Sequence, residues 1–266
     1  MQRTRAAGAL AAFSFLLLAG CVCGLPAGSA ARVDAGLNAA GFARCRLASA
    51  DFPVLAWLRK GEGKTLTVII EGDGAAWFNP RWPPADPTPE ASQAAALAQA
   101  LAGPVAYLAR PCQFERSDAC RLEHWTLRRF APEIVSALDR ALDELKRTAG
   151  ASRLKLVGHS GGGTLAVLLA QRRQDVSSVV TLMAPLAVEA WTRRLDISPL
   201  TGLDPMGGPA LSIPAIHVAG GRDEIVPPAV IAAAVPALGG EYRLWPQADH
   251  ACWPVQEAQR LIGRLP

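Results

Sequence analysis

The sequence predicts an α/β domain: a mostly parallel central sheet, helices on both faces and a short cap insertion. Three observations carry that expectation. Short β-branched apolar runs alternate with longer helical stretches along most of the chain, the pattern of repeated strand–helix–strand units. The run Thr65–Ile70 (TLTVII) is nearly continuous in apolar and β-branched residues, as expected of a strand buried on both faces. At 266 residues, half of them hydrophobic and 19% charged, the chain can bury a sizeable core within one domain.

In chain order, residues 42–50 and 54–60 read as two opening strands and 65–70 as a central one. A loop rich in Gly, Pro and Trp follows over 72–87. Thr88-Pro89-Glu90 places an N-cap residue before a first-turn proline and an acid, which predicts a helix over 88–101. Residues 105–109 form the next strand. Residues 132–147 carry Ile134, Leu138, Ala141, Leu142 and Leu145 along one face of a helix. A strand over 153–157 leads into a helix over 161–172. Strands at 177–183, 215–219 and 241–245 and a closing helix at 255–265 complete the series. Residues 185–214 hold Trp191, several Pro and Gly and no regular period, and read as a cap insertion or long loop. The folded domain is expected to occupy 41–266.

The net charge of +4 is spread over separated short clusters such as Arg128-Arg129 and Arg172-Arg173, so no nucleic-acid partner is expected. The N-terminus is different in kind. Arg3 and Arg5 precede an apolar run from Ala6 to Leu18 that ends Leu18-Ala19-Gly20-Cys21. A basic start, a short apolar stretch and small residues at its end describe an export signal, and the run is short for a membrane span. Its end resembles a bacterial lipobox, in which the cysteine is lipidated and becomes the first mature residue; the resemblance gives Cys21 that role. An ordinary cleavable signal with an incidental cysteine is the alternative. Residues 21–40, rich in Ala and Gly, read as a tether from the lipid to the folded body. Lipidation anchors a protein to a membrane, facing an oxidising compartment here, without spanning it.

Cysteine usage fits export. Beyond Cys21 the chain has Cys23, Cys45, Cys112, Cys120 and Cys252. Cys112 and Cys120 bracket a polar loop and form the first-choice disulfide. Cys45 with Cys252 is a second pairing the sequence leaves open. No His or second close Cys pair accompanies them, so no metal site is expected.

The chemistry centres on Gly158-His159-Ser160-Gly161-Gly162. Gly-x-Ser-x-Gly alone is a weak signal in a Gly-rich chain. Here a strand candidate, Leu154-Lys155-Leu156-Val157, leads in, and a helix candidate beginning Gly163-Thr164-Leu165 leads out. A strand–turn–helix of this kind strains the serine into an exposed position and aims a helix N-terminus at developing negative charge. Such a serine needs a base, and the chain has four histidines. His159 lies inside the turn, His217 sits mid-strand and His124 precedes the serine at the start of a helical segment. His250, in the loop between the last strand and the last helix, remains. A carboxylate must then orient the imidazole. Asp223, just past a strand end in Gly220-Gly221-Arg222-Asp223-Glu224-Ile225-Val226-Pro227, is favoured. Glu224 is its local competitor, Asp196 and Asp204 are weaker ones, and Asp249 reads as a loop residue.

This order of Ser, Asp and His, with the strand–turn–helix around Ser160, resembles the α/β-hydrolase superfamily over residues 42–266. The Glu71-Gly72-Asp73-Gly74 loop and Arg110-Pro111-Cys112-Gln113 look like a bacterial group of exported hydrolases of unassigned substrate. The resemblance implies a serine hydrolase in which Ser160 attacks a carbonyl, His250 takes its proton and Asp223 orients His250. It implies an oxyanion hole of two backbone N–H groups, from Gly161 and Asp73, with Glu71-Gly72 where many members have His-Gly. The Asp73 carboxylate is expected to point away, since it would oppose the charge that forms there. No metal or organic cofactor is needed.

The expected partner is a small-molecule acyl substrate, a carboxylic ester by default. Peptide, amide or lactone cleavage and acyl transfer to another acceptor stay open, as does a non-catalytic binding lipoprotein on the same scaffold. Trp77, Phe78, Trp82, Trp191, Trp245 and Trp253 lie in or beside loops expected around the site. They read equally as an apolar pocket or as packing of Pro-rich loops.

Overall fold

The computed structural model describes residues 30–47, 52–74 and 83–266. The elements run α1 (Ala30–Ala39), β1 (Ala43–Leu47), β2 (Val54–Arg59), β3 (Thr65–Ile70), α2 (Gln93–Ala100), β4 (Val105–Leu108), α3 (Pro132–Ala149), β5 (Arg153–His159), α4 (Gly161–Ala170), β6 (Val176–Leu182), α5 (Val188–Arg194), β7 (Ala215–Gly220), α6 (Pro228–Leu238), β8 (Glu241–Trp245) and α7 (Val255–Gly263). One eight-stranded sheet has the order β1-β2-β4-β3-β5-β6-β7-β8. β1 and β2 pair antiparallel, as do β2 and β4; every later pairing is parallel.

The strand order locates the site. From β3 the chain moves to β4 on one side, then jumps back over β3 to β5 on the other. Crossovers leaving in opposite directions open a crevice at the C-terminal ends of the two central strands, where open α/β sheets bind ligands. Glu71 and Ser160 stand at those two ends.

Alternation along each strand feeds two cores. Leu66, Val68 and Ile70 of β3 and Leu154 and Leu156 of β5 pack with the apolar faces of α3, α4 and α6. Ile69 and Val157 point to the opposite layer, with α1, α2 and α7. Helix α4 (GGGTLAVLLA) is buried along its whole length, so it is apolar all round rather than amphipathic. Helix α3 carries its apolar stripe inward and ends at Gly150 in the left-handed conformation, φ 65°, a conformation glycine adopts without a Cβ penalty.

Three segments depart from the expectation. Residues 30–39 of the expected tether form helix α1, with Val33 and Leu37 buried and Asp34 accepting a 2.6 Å hydrogen bond from Trp57 Nε1; 21–29 lie outside the described residues. Helix α2 begins at Gln93, because Ser92, not Thr88, is its N-cap: Ser92 Oγ accepts the Ala95 N–H at 2.8 Å. Thr88 Oγ1 is already engaged by the Phe114 N–H at 2.6 Å. Helix α6 has no counterpart in the sequence reading. Residues 185–214 hold α5 and a 3-10 turn, Pro205–Gly207, with Trp191 buried and its Nε1 donating to the Ile225 carbonyl at 2.7 Å.

Candidate active site

Ser160 occupies the junction of β5 and α4 with φ 52° and ψ −130°, a strained conformation for a residue with a side chain. The surrounding glycines make the turn sterically feasible. A Cβ at Gly158 would overlap the Gly162 carbonyl, and one at Gly162 would overlap the carbonyl oxygens of Ile70 and Glu71. Strand β5 therefore enters and helix α4 leaves in contact with the end of β3. As the first residue of α4, Gly161 has an N–H with no intrahelical acceptor, at the positive end of the helix dipole.

His250 lies in the loop between β8 and α7. Its Nε2 is 2.9 Å from Ser160 Oγ and its Nδ1 is 2.8 Å from Asp223 Oδ2. The Asp223 side chain is fully buried. Its other oxygen, Oδ1, accepts the N–H groups of Ile225 and Val226 at 2.9 and 2.8 Å. The acid-bearing loop thus fixes its own carboxylate, leaving Oδ2 to accept a hydrogen bond from Nδ1–H. Nε2 then carries the lone pair and accepts from the Ser160 hydroxyl.

The other histidines have structural partners. His159 Nε2 lies 2.9 Å from the His250 carbonyl, so it must donate. Its ring lies 5.1 Å from that of His250 and 5.7 Å from that of Trp253. Burial and the neighbouring His250 push its pKa down to about 3, which keeps it neutral. The elbow histidine therefore ties down the loop that carries His250, a contact across 91 residues with no signature in the sequence. His217 is buried between Thr181 Oγ1 and the Gly239 carbonyl. His124 Nδ1 accepts the Arg121 N–H at 3.1 Å. Asp249 caps its own loop, accepting from the N–H groups of Ala251 and Cys252. Glu224 and Asp196 are exposed, and Asp204 is spent on the N–H groups of Glu189 and Met206.

The loop after β3 passes against the elbow: a Cβ on Gly72 would come within 3.3 Å of Ser160 Cβ. Glu71 is buried beneath the loop. Its Oε1 accepts the Gly72 N–H at 2.7 Å, and its Oε2 accepts from Ser92 and Tyr107. Burial raises the Glu71 pKa despite those three donors. The Asp73 side chain is largely buried, 14% exposed. It lies over Gly161 and pairs with Arg110 and Arg129. Burial alone would raise the Asp73 pKa; the two guanidinium groups outweigh it and hold the carboxyl below its ordinary value. Compensation by the two cations is the physical reason a carboxylate is tolerated there.

Cys112 and Cys120 form a disulfide. Cys45 is free, whereas Cys252 is disulfide-bonded, which rules out the Cys45–Cys252 pairing. Of the aromatic residues expected around the site, Trp245 and Trp253 are buried, their rings stacked 6.4 Å apart. Trp77, Phe78, Trp82 and the lipidation candidate Cys21 lie outside the described residues. No described helix is long and apolar enough to cross a membrane.

Ser160, His250 and Asp223 are thus joined in one line at the switch point of the sheet. No family model matches the sequence, and no curated protein does. Solved structures do match. Est1E from Butyrivibrio proteoclasticus aligns with a TM-score of 0.61 at 13% identity, covering 83% of this chain and 96% of its own. An esterase from Pyrococcus furiosus aligns at 0.59 and 11% identity over 84% and 88% of the two chains. The acylaminoacyl peptidase of Pyrococcus horikoshii aligns at 0.58 and 12% identity, over 84% of this chain but 39% of its own. The chain has the α/β-hydrolase fold.

Proposed function

We propose that the protein is an exported serine hydrolase that cleaves a carboxylic ester through an acyl-enzyme on Ser160. The observation that carries the proposal is the unbroken line from Asp223 Oδ2 through His250 Nδ1 and Nε2 to Ser160 Oγ, at 2.8 and 2.9 Å. A buried carboxylate facing Nδ1–H fixes the tautomer in which Nε2 can accept the hydroxyl proton. Ser160 Oγ attacks the ester carbonyl as its proton passes to His250 Nε2. The tetrahedral oxygen develops negative charge and is met by the N–H groups of Gly161 and Asp73. Collapse expels the alcohol, which takes the proton back from Nε2. Water, deprotonated by the same nitrogen, then attacks the acyl group and frees Ser160.

The preference for an ester draws support from the similarity to Est1E, which has been solved with ferulic acid bound, and to the Pyrococcus furiosus esterase. Export and lipidation at Cys21 are supported by the N-terminal sequence and by the Cys112–Cys120 disulfide, a bond that persists in oxidising compartments. A fluorophosphonate probe tests the enzymatic reading. Wild-type protein should be labelled and Ser160→Ala should not; no labelling of the wild type, or equal labelling of both, overturns it. A parallel panel of esters and peptides tests the substrate class, and faster peptide than ester turnover would overturn the ester assignment.

A further inference from the structure

We propose that Asp73 serves the reaction through its side chain as well as its main chain. The carboxylate is the handle by which Arg110 and Arg129 set the loop after β3, and Arg110 is thereby a positioning residue for the oxyanion hole. The inference rests on Ser160 being the nucleophile.

The grip is specific. Asp73 Oδ1 accepts from Arg110 Nη1, and Oδ2 accepts from Arg129 Nη1. The two arginine side chains are only 5% and 6% exposed. Each is held from behind. Arg110 Nη2 donates to the Arg129 carbonyl at 2.6 Å and its guanidinium lies over the Phe130 ring; Arg129 Nε donates to the Thr126 carbonyl at 2.7 Å. The same turn reaches the neighbouring residue. The Arg110 N–H donates to Gln113 Oε1 at 3.0 Å, and Gln113 Nε2 donates to the Gly72 carbonyl at 3.1 Å. Residues 72 and 73 are thus gripped together by the segment after β4, which the Cys112–Cys120 bond closes.

The charged pair also touches the second donor. A Cβ on Gly161 would overlap Asp73 Oδ1 and come within 2.9 Å of Arg110 Nη1. The glycine after Ser160 therefore makes room for the pair, which links the residue carrying one N–H assigned to the oxyanion hole to the residue carrying the other. Removing Arg110 does two things at once. It frees the loop, and it leaves a carboxylate poorly compensated beside forming negative charge.

The test uses purified full chain and p-nitrophenyl acetate as the probe ester. Arg110→Met should lower kcat about 100-fold with KM changed by less than about threefold, the pattern of an interaction made only in the transition state. Affinity for a trifluoromethyl ketone, whose adduct carries the oxyanion, should fall in proportion. Asp73→Asn should lower kcat about tenfold, and the double variant should lose no more than Arg110→Met alone, because both act through one contact. Arg110→Lys, which keeps a buried cation but not the fork, guards against misfolding and should fall between wild type and Arg110→Met. An Arg110→Met kcat within about threefold of wild type, losses that multiply in the double variant, or an effect confined to KM overturns the inference. Fluorophosphonate labelling of the wild type keeps the two claims apart. An unlabelled wild type defeats the Ser160 assignment, whereas a labelled wild type with an indifferent Arg110 defeats only the positioning role.

Discussion

Replacing Asp223 by Asn isolates the orienting function of the acid. Oδ1 of Asp223 accepts two backbone N–H groups, from Ile225 and Val226, while Oδ2 alone faces His250. An asparagine placed here must turn its carbonyl oxygen toward the two donors, since its amide nitrogen would oppose them. The NH2 group then faces His250 Nδ1 and can only donate. Nδ1 is forced to accept, so the proton moves to Nε2, the atom that must receive the Ser160 proton. The wrong tautomer costs a triad about 10,000-fold in kcat, or about 5.5 kcal/mol of barrier. Stability should change little, within about 1 kcal/mol, because both backbone donors keep their acceptor. Steady-state hydrolysis of p-nitrophenyl acetate measures the first quantity and urea denaturation the second. An Asp223→Asn enzyme retaining more than about a tenth of wild-type kcat would refute the tautomer argument.

Other predictions concern the frame. Burial pushes His217 down to about 4 from an ordinary 6.5, so between those values the unfolded chain binds the extra proton. Its contribution to stability is complete above about pH 6.5 and is lost as pH falls; from about pH 7 to 5 the loss is ~2 kcal/mol, and His217→Gln should flatten that slope, whereas an unchanged slope contradicts the assignment. Breaking the Cys112–Cys120 bond, which joins residues eight apart, by Cys→Ser at both positions should cost about 2–3 kcal/mol in urea denaturation; identical midpoints would exclude that role. Gly162→Ala, whose methyl group would overlap the backbone oxygens of Ile70 and Glu71 at the end of β3, should cost about 1–3 kcal/mol. A melting temperature equal to wild type would show that the elbow tolerates the intrusion.

The parts of this fold legible in the sequence were those with local signatures. β3 was readable because TLTVII is unbroken, and Ser160 because strand, glycines and helix lie within one short segment. Asp223 and His250 could be selected because few residues compete in the right order. Helix α6 was hidden by its composition: it is flanked by Pro227, starts with Pro228 and contains Pro236, and its mostly Ala and Val sequence has little polar contrast. Helix α1 hid within an Ala- and Gly-rich stretch, although Val33 and Leu37 stand one helical turn apart and were a usable signal. The start of α2 is not legible locally, because Thr88 has the chemistry of a cap but spends its hydroxyl on Phe114. The Asp73 cluster has no local trace, since its partners are 37 and 56 residues away. An isolated carboxylate beside the site looks unfavourable until its two cations are in place.

The covalent state of Ser160 during turnover tests the central claim most directly. The enzyme would be mixed with p-nitrophenyl acetate, quenched in acid within the first turnovers, digested and read by mass spectrometry on the peptide that holds Gly158 to Gly163. The account predicts an acetyl group on Ser160 and none in Ser160→Ala. Rapid p-nitrophenol release with Ser160 unmodified and the acetyl group on another residue would contradict it.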